Sequence, residues 1–210
     1  PAAARALSMP AADRPILQLL SLDPRLAMIP RPTPATSIDF LLDSLIADWQ
    51  ARLDAGFRLL CLPCEGLQDE HLQPVAERCA ALARQAGARW LIDGRPDLAR
   101  GLGADGVHLD SGALAQYSDR PVDAELILAV TCRDDDGLQH AARLAADFAC
   151  LPPVRQGSAI DWSGFAARVA VAPVPVVALG VAGADLDRAR ELGAFGVAVT
   201  PDPDQKEDSE

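Results

Sequence analysis

Two cysteines spaced as Cys61-Leu62-Pro63-Cys64 are the first residues here whose types and spacing suit chemistry. A C-x-x-C pair can exchange with a disulfide, or supply two of the four ligands of a zinc ion. Cys132 and His108 are the residues that could complete a zinc set. A redox pair normally sits at a helix N-terminus, whereas the helical pattern after Cys64 starts only at Asp69. Buried free cysteine also behaves as a small hydrophobe, which is the plainer reading of these residues. Arg95 follows an apolar run, where a cation can meet an anionic ligand or pair with Asp93, Asp97 or Asp110. His108 lies among apolar neighbours and reads as a packed histidine; His71 and His140 fall on helical patterns and read as exposed. Lys206 is the single lysine and stands in the acidic tail, which excludes Schiff-base chemistry in a pocket.

Composition narrows the classes further. The net charge is −11, of which the last ten residues contribute −4 and the rest −7. A surface this negative repels phosphate backbones, so nucleic acid is not an expected partner. An anionic small molecule would need a local basic pocket or backbone N–H groups. No stretch approaches the roughly 18 apolar residues of a membrane span, and no cationic leader precedes a long apolar run. Five cysteines, an odd number without a secretory signal, imply reduced thiols. The chain reads as soluble and cytoplasmic.

The elements that must position these residues alternate regularly. Half of the 210 residues are apolar and 4% are aromatic, so the core is built from Ala, Leu, Val and Ile. Short apolar runs at 25–30, 57–62, 89–92, 106–109, 125–131, 147–151, 174–179 and 195–200 read as strands. Continuous apolar runs of this kind suit a parallel sheet buried on both faces. Between them lie helical periods at 37–55, 69–86, 96–102, 134–144, 162–169 and 185–192, with a single turn at 112–117. Three junctions, GARW, GADGVHL and GAFGVAV, each lead from a cap glycine directly into a strand. Eight such units predict an α/β fold of the (β/α)8 TIM-barrel type; an open doubly wound sheet is the alternative. The polar run PDPDQKEDSE has no apolar face, so no eighth helix is expected. A helix over 14–22 is expected to cover part of the barrel in its place. The expected organisation is a disordered leader at 1–13, a barrel at 14–200 and a disordered acidic tail at 201–210.

Several segments resemble the thiamine phosphate synthase and thiazole tautomerase superfamily. They are AGFRLLCLP, ARWLIDGRPDLARGLGADGVHLDS, LILAVTCRDDDGLQHAARLAADFACLPPV and PVVALGVAGADLDRARELGAFGVAVT, which cover most of residues 55–200. A finer likeness is to the barrel fused behind a Nudix hydrolase domain in some bacteria. It rests on the leader MPAADRPILQLL, on Thr131-Cys132 after strand five and on Trp162–Phe165 after strand six.

The resemblance implies a synthase that joins an aminopyrimidine diphosphate to a thiazole phosphate and releases pyrophosphate, usually with magnesium. It also implies residues this chain lacks. The glutamine, arginine and lysine expected after strand two are matched by Cys61, Pro63 and Glu65. The Asn-Asp-Arg after strand three is Asp93-Gly94-Arg95, so one magnesium acid is a glycine. The second acid, after His108-Leu109-Asp110, is also missing. The serine after strand five is Thr131, and the tautomerase histidine two positions on is Arg133. No lysine follows strand six. The residues left for chemistry are Arg95, Thr131 and Asp93, with Cys61, His108, Asp110 and Cys132 around the pocket. Gly180, Val181, Ala182, Val199 and Thr200 are the places where backbone N–H groups can take a phosphate. The resemblance therefore implies a degenerate site, weak or lost synthase activity, no retained metal, and a phosphorylated thiazole or pyrimidine as ligand. A Nudix-type enzyme is the implied partner. The competing expectations are an active thiamine-biosynthesis enzyme with altered residues, and a thiol redox or metal protein using Cys61 and Cys64.

Overall fold

The computed structural model describes residues 25–28, 38–65, 67–151, 162–180 and 185–199. Eight strands alternate with helices along this chain. They are β1 (Arg25–Met28), α1 (Ile38–Asp54), β2 (Leu59–Leu62), α2 (Asp69–Gln85), β3 (Arg89–Asp93), α3 (Pro96–Ala99), β4 (Gly106–Leu109), α4 (Ser111–Leu114), β5 (Ile127–Thr131), α5 (Asp135–Arg143), β6 (Phe148–Leu151), α6 (Trp162–Val171), β7 (Val176–Leu179), α7 (Leu186–Glu191) and β8 (Gly196–Val199). Every neighbouring pair of strands is parallel, and β1 pairs with β8, so the sheet closes. The open doubly wound alternative is thereby excluded. The expected helix over 14–22, the leader and the tail lie outside the described residues, as do the chain positions after Val199.

Strand periodicity sorts the side chains into two layers. Leu26, Leu59, Leu91, Ile127, Phe148, Val177 and Ala198 fill the barrel interior. The alternate positions, such as Leu60, Ile92, Val107, Val130 and Ala149, pack outward against the helices. Trp49 on α1 and Trp90 on β3 meet edge to face in that outer layer, with centroids 6.3 Å apart. This aliphatic packing follows from the composition, since layered side chains of this size fill a barrel without a pore.

The helix–strand junctions behave as their glycines imply. Gly87, Gly103 and Gly193 all have positive φ. Gly106, in the second of these junctions, has a different constraint. A Cβ there would lie 2.2 Å from the Ile127 carbonyl oxygen, so only glycine lets β4 approach β5. At the strand starts, Asp105 accepts from the Trp90 N–H at 3.0 Å and Asp147 accepts from the Leu128 N–H at 2.8 Å. Arg120 ties Asp147 and the Leu126 carbonyl together. These carboxylates hold the N-terminal face of the sheet. Among the described residues, no helix is long and apolar enough to cross a membrane.

His71 and His140 are half-buried, not exposed as the helical pattern suggests. His140 lies on a short helix packed on the barrel, where its Nε2 meets the Tyr117 carbonyl oxygen at 2.8 Å.

Candidate functional site at the barrel mouth

The strand C-termini carry the polar groups of the interior. Asp93 ends β3 and is the register partner of His108 on β4. Both point inward because they lie two residues beyond Leu91 and Gly106 on their strands. Thr131 lies two residues beyond Ala129, the register partner of His108 on β5. Cys61 occupies the matching interior position on β2. The stagger of the barrel strands thus brings residues 61, 93, 108 and 131 to one level.

Here Asp93, His108 and Thr131 form a connected network, with Cys61 beside it. His108 Nδ1 lies 2.8 Å from Asp93 Oδ1, and His108 Nε2 lies 2.8 Å from Thr131 Oγ1. His108 is 3% exposed, so it needs both partners. The packed-histidine reading is thus half right: His108 is buried, but between a carboxylate and a hydroxyl. An imidazole held this way can take a proton from a hydroxyl, or hand one over, while the carboxylate fixes its orientation. Cys61 Sγ, an Asp93 oxygen and a His108 ring nitrogen lie within 4.8 Å of one another.

The other expected site residues take different roles. Arg95 does not reach Asp93 or Asp110. It binds Asp97 through Nε at 3.0 Å and Nη2 at 2.8 Å, and Asp69 through Nη1 at 2.6 Å. These hydrogen bonds, first to Asp97 and then to Asp69, push the Arg95 guanidinium further toward its charged form. They hold both carboxyls below their ordinary range. Asp110 is exposed and caps α4, accepting from the N–H groups of Gly112 and Ala113 at 2.9 and 2.7 Å. Its short side chain at an N-cap position does what Asp commonly does there.

The cysteines do not assemble as their spacing suggests. Cys61 belongs to the interior cluster, whereas Cys64 and Cys132 belong to the layer between sheet and helices. A zinc set of Cys61, Cys64, Cys132 and His108 is therefore not formed. Burial pushes Cys64 up to about 12, with Asp93 adding to it, and Cys132 up to about 12. Such thiols lack the low-pKa, electropositive setting of a reactive pair.

Gly180 has already committed its N–H, which donates to the Ala198 carbonyl oxygen at 2.7 Å. Val199 is half-buried at the end of β8. Val181, Ala182 and Thr200 lie outside the described residues. A cavity of about 300 Å³ opens beside Thr131, between α4 and α5, and is lined by Ser111, Arg133, Asp134, His140 and Arg143 among others.

The magnesium implied by the family resemblance does not fit this mouth. Gly94 stands where one acid would be, with φ of +72°, a conformation an aspartate adopts only under strain. Asp110 is spent on its helix, and the neighbours of Asp93 are a sulfur and a ring nitrogen, poor ligands for magnesium. A hard cation of this size needs several oxygen ligands in near-octahedral array.

A closed, all-parallel eight-stranded barrel with its polar groups gathered at the strand C-termini defines the class of α/β-barrel proteins that bind ligands at that face. Comparison with known proteins makes this specific. The family model described as thiamine monophosphate synthase matches residues 35–202, and the chain belongs to that family. A putative thiamine-phosphate synthase of Geobacter sulfurreducens is 31% identical over 176 residues, 78% of this chain and 83% of the relative. A thiamine-phosphate synthase of Thermus thermophilus is 28% identical over 196 residues, 86% of this chain and 92% of the relative. The solved thiamine phosphate pyrophosphorylase from Pyrococcus furiosus superposes with a TM-score of 0.64 at 19% identity, covering 84% of this chain and 85% of the other, a likeness of fold.

Sequence reasoning named Asp93, His108 and Thr131 but did not connect them. The available signal was inward alternation: each stands two residues past an interior position. Asp69 was missed as a partner of Arg95, because it comes from the start of α2, 26 positions away.

Proposed function

We propose that this barrel binds a phosphorylated thiazole or pyrimidine small molecule at its C-terminal mouth and has weak or no synthase activity. The supporting observation lies at the β3–α3 turn. Gly94 offers no ligand there, and the guanidinium of Arg95 is already neutralised by Asp69 and Asp97. Pyrophosphate departure needs cationic stabilisation of developing charge, and losing one such contact typically costs about 3–4 kcal/mol. Several are missing, although residues that act as a unit do not add. Phosphate binding is assigned to backbone donors after β7 and β8, at Val181, Ala182 and Thr200, since barrels commonly hold phosphate there.

A Nudix-type enzyme is the proposed partner, on the leader sequence and Thr131-Cys132. The Trp162–Phe165 part of that likeness also has a local explanation. The two rings pack edge to face at 5.7 Å, and Arg188 of α7 lies 4.8 Å over Trp162. The test is a synthase assay paired with calorimetry against thiazole phosphate, thiamine phosphate and pyrophosphate. Binding without turnover is expected. A rate above about a thousandth of an ordinary family rate would overturn the reading, that being the loss expected from one missing contact.

A second reading is favoured by the Asp93–His108–Thr131 network: metal-free proton transfer of the tautomerase kind. It predicts isomerisation of a thiazole phosphate with solvent deuterium exchange. Loss of this activity by a factor of about 100 or more in His108→Asn is the expected signature of a removed acid–base group. No exchange in the unaltered protein would end this reading.

A further inference from the structure

The interior wall of this barrel is almost wholly aliphatic, yet three donors of different chemistry meet on it. Cys61 from β2, Asp93 from β3 and His108 from β4 bring a sulfur, a carboxylate oxygen and a ring nitrogen within 4.8 Å. We propose that Cys61, Asp93 and His108 form a site for one divalent transition-metal ion of the zinc type, with a fourth position open to the barrel mouth.

The donor set selects the ion. A thiolate and an imidazole suit zinc or cobalt, and are poor ligands for magnesium or calcium. Three protein ligands plus an open position is the pattern of accessible zinc centres rather than closed structural ones. The openings also agree: Cys61 and His108 are buried, while the Asp93 side chain keeps 16% of its surface exposed on the mouth side. The site does not depend on Cys64, whose thiol lies in the outer layer near the Leu62 carbonyl oxygen.

The surroundings already orient the ring. Thr131 Oγ1 lies 2.8 Å from His108 Nε2, which leaves Nδ1 facing Asp93. An ion bound at Nδ1 takes the place of the proton shared by Nδ1 and Asp93. The neutral ring then carries its proton on Nε2 and donates to Thr131, which is the outer hydrogen bond that metal-bound histidines generally make. Cys61 gives up one proton to solvent, as thiol ligands must. In the free protein burial, reinforced by Asp93, keeps this thiol protonated. Thiolate, carboxylate and dication together are electrically neutral, so the loaded site suits an apolar wall better than a lone carboxylate does.

This inference is independent of the phosphate-ligand reading, because it concerns residues inside the barrel and its readout requires no substrate; it replaces the metal-free proton-transfer reading, which needs the same His108–Asp93 contact. The experiment uses the full chain, stripped with chelator and titrated with zinc by calorimetry and with cobalt by absorption. One ion per chain is expected, with a near-ultraviolet thiolate-to-cobalt band and the strong visible bands of four-coordinate cobalt. Cys61→Ala should abolish the thiolate band, and Cys64→Ala should keep it. Asp93→Asn, nearly isosteric, should weaken zinc by at least about tenfold, the loss seen even for outer partners of a metal site. Circular dichroism confirms that each variant is folded; should Cys61→Ala unfold, Asp93→Asn decides. Absence of the thiolate band in the unaltered chain, its survival in Cys61→Ala, or unchanged affinity in Asp93→Asn would refute the site.

Discussion

His108 Nδ1 and Asp93 Oδ1 lie 2.8 Å apart, joining adjacent strands through side chains at the level where the barrel interior turns polar. Their backbones are register partners in the same sheet. The pair therefore closes the top of the barrel interior, and His108 is the only buried histidine among the described residues.

Removing the ring should cost stability. His108→Ala leaves the Asp93 carboxylate and the Thr131 hydroxyl without this partner, and a buried unsatisfied group costs about 1–3 kcal/mol. Urea unfolding should show a lower midpoint with an unchanged slope. The Thr131→Val and Asp93→Asn substitutions, combined with His108→Ala, should be non-additive.

The thiols should make the fold sensitive to alkali. Burial pushes Cys64, Cys79 and Cys132 each up to about 12 from an ordinary 9.0, with Asp93 also raising Cys64 and Asp134 also raising Cys132. A folded pKa above the unfolded one means that the stabilisation is complete below 9.0 and is lost as pH rises toward 12. Above pH 9 each thiol can contribute a slope of up to about 1.4 kcal/mol per pH unit. Urea midpoints measured from pH 8 to 10.5 should fall, and less steeply in Cys79→Ala.

Arg95 should be masked rather than idle. Its partners Asp69 and Asp97 are 70% and 59% exposed, so the ion pairs add under about 1 kcal/mol to stability. Arg95→Ala should leave thermal stability and pyrophosphate binding nearly unchanged. The double variant Asp69→Asn, Asp97→Asn frees the guanidinium and should tighten pyrophosphate binding several-fold, read by calorimetry. Equal affinities in all three proteins would show that Arg95 does not face the ligand.

Gly106 should tolerate no side chain. A methyl group there meets the Ile127 carbonyl oxygen, N–H and Cβ at 2.2, 2.7 and 2.5 Å, all atoms of a neighbouring strand. Overpacking of a rigid core costs about 1–3 kcal/mol and sometimes more. Gly106→Ala should lower the melting temperature markedly, whereas Gly101→Ala, with 3.7 Å to its nearest atom, should change it little.

Much of the architecture was legible in the chain itself. Eight apolar runs separated by helical periods, with glycines leading into strands, define eight strands and seven intervening helices because backbone periodicity is local. The strand ends shifted by a residue or two, as at Leu59–Leu62 and Ile127–Thr131, where pairing rather than apolarity sets the limit. The sequence by itself also showed that Lys206 is the single lysine, since scarcity of a residue type needs no coordinates. The destinations of the remaining polar groups were decided only by the tertiary structure. Cys61 and Cys64 are three positions apart but face opposite layers, because the chain leaves the strand between them. Asp93, His108 and Thr131 are up to 38 positions apart yet share two hydrogen bonds, because closure of the sheet and the stagger of its strands place distant strand ends side by side.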